Sequence, residues 1–175
     1  MIFVTLGTQK FQFNRLLKMI DQLIEEGVIT ERVFAQIGYS DYRPSNFNYE
    51  NFLSREEFLL YMDECNKVIT HGGTGAIISA LKNGKKVIAM ARMAEFGEHV
   101  DDHQVQIVEQ FNELNLLLGV SSYEEMKNSL QEISFVDFRQ YQSNTKVILN
   151  SLESFIINDN RFDRRMYDTD YFDYR

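Results

Sequence analysis

The five residues His71-Gly72-Gly73-Thr74-Gly75 join an apolar run, Lys67-Val68-Ile69-Thr70, to a second apolar run that begins at Ala76. The first run is typical of a short buried strand, and the second is typical of the opening turns of a helix. A turn of small residues at a helix start leaves backbone N–H groups unpaired, and the helix dipole adds partial positive charge there. Two interpretations stay open. The turn binds a phosphate or diphosphate with help from His71, or it is a tight connection against which His71 packs.

Apolar runs alternate with segments of helical periodicity along most of the chain. Strands are predicted over residues 2–6, 33–38, 67–70, 87–90 and 115–120, with a short edge strand over 51–53. Helices are predicted over 13–24, 54–64, 76–83, 102–111, 121–130 and 138–157, the second capped by Ser54 with Glu57 and the fifth by Ser121. Residues 39–49, which hold the only proline, are predicted to form a surface loop. This order predicts an α/β fold, a Rossmann-like parallel sheet with helices on both faces.

Parallel sheets bind ligands beyond the carboxyl ends of their strands. The turn at Gly7-Thr8, the glycine turn at 72–75 and the segment 92–102 each follow a predicted strand, so they should share one rim. The glycine turn lacks the third glycine of a dinucleotide fingerprint, and no Gly-Lys-Ser/Thr follows it as in a Walker A loop. NAD and ATP chemistry are therefore disfavoured.

Composition and charge limit the classes of partner. The formal net charge of -8 at pH 7 argues against a nucleic-acid ligand, because such binders carry a basic face. The single cysteine, Cys65, is predicted to be a buried structural thiol in a reducing compartment. Met1 leads directly into the first strand, so no signal peptide is predicted, and no apolar run approaches the roughly 20 residues that span a bilayer. We therefore expect a soluble, cytoplasmic protein.

Residues 98–104 concentrate two of the three histidines and three carboxylates. His99 and His103 are four residues apart, which is the spacing of paired metal ligands on a helix. Alternatively, Asp101 and Asp102 mark an acidic helix start that the dipole favours. In a third interpretation the segment recognises sugar hydroxyls, which need paired donors and acceptors.

Three segments in order, residues 71–75, 81–88 and 98–104, resemble the donor-binding carboxyl-terminal domain of glycosyltransferase family 28, and Gly7-Thr8 agrees with its opening. The resemblance covers roughly residues 1–135. It is strongest to small subunits of two-part enzymes. These include the soluble subunit of the dolichol-linked chitobiose-forming enzyme and, closer still, the small subunits of bacterial galactosyltransferases that build exopolysaccharide or capsule. The family has the GT-B fold, so the resemblance implies one half of that fold, spanning residues 1–157 before a charged aromatic tail at 158–175.

The resemblance also implies a function and a set of site residues. The chain would bind a UDP-sugar as donor substrate, without cofactor or metal, for an inverting transfer to a lipid-linked glycan. His71 would donate to a phosphate oxygen, and the backbone at Phe52 and Leu53 would read the uracil edge. The residues expected along the diphosphate are Gly7, Thr8, Gly72, Gly73, Thr74 and Gly75, and those expected near the sugar are Glu98, His99, Asp102, His103 and Gln104. Many relatives carry a ribose-binding Glu where this chain has Ser79.

The resemblance further implies a partner. A separate, membrane-associated subunit would bind the acceptor, supply the base and hold this chain at the cytoplasmic membrane face; a homo-oligomer is also possible. Residues 167–175, with alternating aromatic and charged side chains, are a candidate docking segment or a disordered end. Two other functions stay open: a stand-alone nucleotide-sugar epimerase or hydrolase with Glu98, His99 or Asp102 as acid and base, and a non-catalytic stabilising subunit.

Overall fold

The computed structural model describes residues 1–143, 149 and 150. The chain divides into two units, Met1–Tyr141 and Gln142–Arg175, and every strand and helix considered below lies in the first. The predicted tail at 158–175, with its candidate docking segment 167–175, lies outside the described residues.

Strands and helices alternate along the first unit. The strands are β1 (Ile2–Thr5), β2 (Val33–Gln36), β3 (Asn48–Glu50), β4 (Lys67–His71), β5 (Lys86–Met90) and β6 (Leu118–Val120). The helices are α1 (Asn14–Glu25), α2 (Arg55–Glu64), α3 (Thr74–Lys82), α4 (His103–Glu113) and α5 (Tyr123–Glu132), with a 3₁₀ turn at Ala94–Phe96.

All six strands pair in parallel, in the order β3-β2-β1-β4-β5-β6. The chain builds the sheet outward from β1 in one direction and then returns to add β4 on the other side. Val4 at the centre of β1 lies opposite Ala35 of β2 and Ile69 of β4. The order therefore reverses between β1 and β4, as in the dinucleotide-binding form of the doubly wound sheet.

Helices cover both faces of the sheet, which confirms the predicted fold class. Successive strand residues point to opposite faces, so Ile69 and Ile88 pack with α1 and α5 while Val68 and Val87 pack with α2, α3 and α4. The central strands are consequently apolar over most of their length, as expected for strands buried on both sides.

Several predicted boundaries are wrong. The edge strand is Asn48–Glu50, which overlaps the end of the segment predicted as a loop, and residues 51–53 are not a strand. An edge strand pairs on one side only, so this polar, exposed segment carries no apolar signature. The start of the last predicted helix is also wrong: residues 138–143 are irregular, and of the remainder of 138–157 only residues 149 and 150, which are helical, are among the described residues.

Helix caps follow the sequence closely. Ser54 and Glu57 form the predicted capping box of α2. For α5 the N-cap is Ser122 rather than Ser121, because the Ser122 hydroxyl accepts from the Glu125 backbone while Ser121 donates to the Glu125 side chain. The two serines share one glutamate, which the sequence pattern alone does not resolve.

Cys65 is buried as predicted, and burial raises the pKa of its thiol. Within the described part of the chain, no helix is long and apolar enough to cross a bilayer.

Candidate functional site

The candidate site lies beyond the carboxyl ends of β1 and β4, where the strand order reverses. Open α/β sheets bind ligands in the crevice at such a point. α3 begins there, with Gly73 as its N-cap. Because glycine has no side chain to cap the first turn, the backbone N–H groups at Thr74 and Gly75 face the rim without a side-chain cap from Gly73. This arrangement suits an anion.

His71 ends β4 and is held between two glycines. A Cβ added at Gly73 would lie 2.2 Å from His71 Nε2, and one added at Gly7 would lie 2.8 Å from His71 Cε1. Gly7 also has a φ of +71°, which other residues rarely adopt. The two glycine turns therefore form a slot for the imidazole ring, which leaves His71 only 7% exposed.

The hydrogen bonds of His71 define how its ring is protonated. The Thr70 hydroxyl donates its one proton to the Thr5 carbonyl at 2.8 Å, so its 3.4 Å contact with His71 Nδ1 requires the ring nitrogen to donate. Burial, and after it the positive charge of Arg92, lowers the pKa of His71 to about 4. At neutral pH the ring is consequently uncharged, with Nε2 as an acceptor that faces the glycines.

A group of charged side chains lies beneath the same rim. Glu98 is fully buried and binds Arg15 through two bonds, Nη2 to Oε2 at 2.8 Å and Nε to Oε1 at 3.1 Å. Glu98 also accepts from the Met93 backbone at 3.1 Å. Arg92 is fully buried, and its Nη2 donates to the carbonyls of Leu6 at 2.8 Å and Phe11 at 3.3 Å. Burial lowers the pKa of Arg92 to about 10, so it stays charged at neutral pH.

The start of α4 carries a second polar cluster. His99 Nε2 donates to Gln9 Oε1 at 3.2 Å, and His103 Nδ1 contacts Asp101 Oδ1. One ligand atom from each of His99, Asp101 and His103 lies within 4.8 Å of the others, so these side chains have the arrangement that a divalent metal ion could use. The same groups offer donors and acceptors to sugar hydroxyls, so the geometry leaves both interpretations open.

Comparison with known proteins gives the family. The model of the glycosyltransferase family 28 C-terminal domain matches residues 1–157. The chain belongs to glycosyltransferase family 28. No curated protein matches the sequence.

Two solved structures share this fold. The glycotransferase of kitacinnamycin aligns with a TM-score of 0.59 and 16% identity, over 76% of this family 28 chain and 34% of its own. ALG13 aligns with a TM-score of 0.56 and 18% identity, over 86% of this chain and 93% of its own. This chain thus spans about a third of the kitacinnamycin enzyme, as expected for one Rossmann-like half of a GT-B glycosyltransferase.

Within this family 28 domain, the residues predicted near the sugar differ in accessibility. Glu98 is buried, and its carboxylate is occupied by Arg15 and the Met93 backbone. Gln104 is also buried, and its Oε1 accepts from the Arg92 backbone at 3.2 Å. Asp102 is exposed and accepts from the Ala94 backbone at 2.7 Å.

The residues predicted along the donor nucleotide all lie at the carboxyl-terminal rim of the sheet, but they follow different strands. Gly7 and exposed Thr8 follow β1, and the glycine turn follows β4. Phe52 and Leu53 follow β3, which is three strand spacings from β4, or about 14 Å. Phe52 is 44% exposed and packs edge-on against the Tyr39 ring.

Sequence reasoning missed Arg15 and Arg92. Arg92 follows a buried strand by two residues, which was a usable signal, because a cation at the carboxyl end of a parallel strand points to the ligand rim. Arg15 carries no comparable signal, since its partner Glu98 lies 83 residues away.

Proposed function

We propose that this family 28 domain binds a UDP-sugar as the donor subunit of an inverting glycosyltransferase. In this proposal the sugar is galactose, and the acceptor is a lipid-linked glycan of exopolysaccharide or capsule synthesis. The observation that carries the proposal is the start of α3 at the point where the strand order reverses, with His71 held between Gly7 and Gly73. The galactose and the acceptor come from the sequence resemblance alone.

The chemistry assigned to this domain is stabilisation of the departing diphosphate. Backbone N–H groups at Thr74 and Gly75 are fixed before the donor arrives, so they need no reorganisation as negative charge develops. His71 Nε2 is an acceptor in the free protein, so it must take up a proton before it can donate to a phosphate oxygen. The negative diphosphate favours that uptake because it stabilises the charged imidazole. No metal ion is required in this proposal.

The remaining contacts are assigned to the two ends of the donor. The backbone at Phe52 and Leu53 would read uracil, and His99, Asp102 and His103 would meet the sugar hydroxyls. The Gln104 oxygen already accepts from the Arg92 backbone, so its amide nitrogen is the group assigned to the sugar.

The catalytic base is assigned to a second subunit. The carboxylates of segment 98–104 are engaged within the domain: Glu98 binds Arg15, Asp101 contacts His103 and Asp102 accepts from Ala94. This also weighs against a stand-alone epimerase or hydrolase, which needs its own acid and base. The match to nearly the whole length of ALG13 supports a one-domain subunit.

Calorimetry with UDP, UDP-galactose, UDP-glucose and UDP-N-acetylglucosamine tests the proposal, with the chain alone and co-expressed with a membrane-associated glycosyltransferase-like subunit. We expect UDP binding, a preference for UDP-galactose, and transfer only in the presence of the partner. Full transfer to a lipid-linked acceptor by the isolated chain would refute the two-subunit assignment. Failure of every UDP-sugar to bind, even with the partner present, would instead identify a non-catalytic stabilising subunit.

A further inference from the structure

We propose that Arg92 makes the donor site selective for a diphosphate, by holding a buried and unneutralised positive charge beneath the rim. The inference rests on the proposed function, and it assigns to that site a specificity residue.

Arg92 is placed for this role by the loop between β1 and α1. Its Nη2 binds the carbonyls of Leu6 and Phe11, which bracket residues 7–10, so the guanidinium lies against the two ends of that loop. Within the described part of the chain, its Nε and Nη1 have no hydrogen-bond partner although both atoms are buried. Buried guanidinium nitrogens are normally paired, so these two mark a group whose hydrogen-bonding capacity the described residues do not fill, although its Cζ lies 5.5 Å from the centre of the Phe13 ring.

The charges around Arg92 do not balance. Arg15 and Arg92 bring two positive charges to this region, and Glu98 brings one negative charge. The Glu98 carboxylate is already occupied by the two bonds from Arg15 and the one from Met93, so it reaches Arg92 only through space. One positive charge of this trio remains without a counter-charge, and a buried charge of that kind is destabilising until an anion approaches.

The field of this charge reaches the donor site. Next to burial itself, the positive charge of Arg92 is the largest cause that lowers the pKa of His71, and the His71 ring fills the slot between Gly7 and Gly73. An anion at the start of α3 would lie beside that ring. Because Coulomb attraction grows with ligand charge, Arg92 should favour UDP over UMP, and it should contribute nothing to the binding of uridine.

The test measures the affinities of UDP, UMP and uridine by calorimetry for four forms of the full chain. Arg92→Met removes the charge and keeps an apolar chain of similar length, a change that buried sites often tolerate. Arg92→Lys keeps the positive charge but replaces the planar guanidinium by an ammonium group. The matched control is Arg32→Met, which removes an exposed positive charge just before β2. Arg32 lies at the amino-terminal end of the strands, opposite the rim. Thermal unfolding of each variant verifies that it is folded.

We expect Arg92→Met to reduce the ratio of UDP affinity to uridine affinity by about tenfold. The ratio of UMP affinity to uridine affinity should fall by less, because UMP carries less negative charge. Arg92→Lys should restore most of the UDP preference, and Arg32→Met should match the wild type. An unchanged ratio in folded Arg92→Met, an equal loss for all three ligands, or Arg92→Lys as weak as Arg92→Met would each overturn the inference. If the wild type does not bind UDP at all, the proposed function itself fails, and that outcome is distinct from the others.

Discussion

His71 should make the stability of the domain depend on pH between about 4 and 6.5. Burial lowers its pKa from 6.5 to about 4 in the folded state. Between these values the unfolded chain binds a proton that the folded chain does not, so the free energy of unfolding falls as the pH falls below 6.5. At about 1.4 kcal/mol for each pKa unit, the full effect is about 3 kcal/mol below pH 4, and about 2 kcal/mol is lost by pH 5.

Urea unfolding at pH 7, 6 and 5 measures this effect when the wild type is compared with His71→Asn. The Asn amide nitrogen can replace His71 Nδ1 as donor to Thr70, but it does not titrate. The carboxylates Asp21 and Glu31, whose pKa values are lowered by hydrogen bonds or ion pairs that outweigh their burial, titrate in both proteins and cancel in the comparison. We expect the wild type to lose about 2 kcal/mol more than His71→Asn between pH 7 and pH 5. Equal losses in the two proteins would refute a buried, neutral His71.

Three further experiments address the donor site. His71→Ala should weaken UDP-sugar binding by about tenfold or more, the scale of one charge-assisted hydrogen bond, and unchanged affinity in a folded variant would exclude that role. Gly75→Ala should stabilise α3 by about 0.5–1 kcal/mol, since nothing lies within 4 Å of the added Cβ, yet weaken UDP binding. Undiminished UDP affinity in Gly75→Ala would mean that the turn does not approach phosphate. In contrast, Gly73→Ala should lower the melting temperature, because the added Cβ would clash with His71. Chelation by EDTA should leave transfer intact; loss of transfer that Mg²⁺ or Mn²⁺ restores would identify His99 and His103 as metal ligands.

Local signals in the sequence predicted most of the fold. The four central strands carry apolar side chains on both faces, and the α2 capping box is formed by Ser54 and Glu57. Predicting these features therefore requires only residues that are close in the sequence. The misplaced edge strand has a physical cause. The edge strand β3 pairs with β2 but buries little side chain, and pairing between strands leaves no mark on such a polar segment.

The candidate site divides in the same way. The glycine turn and His71 are adjacent in sequence, and the structure finds them adjacent in space. Glu98, in contrast, is expected near the sugar from the family resemblance, while its buried contacts depend on Arg15, which is 83 residues away in the sequence. Likewise, the hydrogen bond from Arg92 to the Leu6 carbonyl depends on how the strands assemble in the sheet, and it cannot be predicted from neighbouring residues.

The segment 98–104 combines buried positions with exposed ones. This difference bears on how donor preference could change during evolution or in a designed library. Glu98 and Gln104 are buried and bonded to Arg15 and to the Arg92 backbone, so exchanging the whole segment between relatives would break these bonds as well as change the proposed sugar contacts. Val100, Asp101 and His103 are exposed and tolerate variation. A new sugar preference is therefore best sought by varying these three positions together while the two buried anchors are kept.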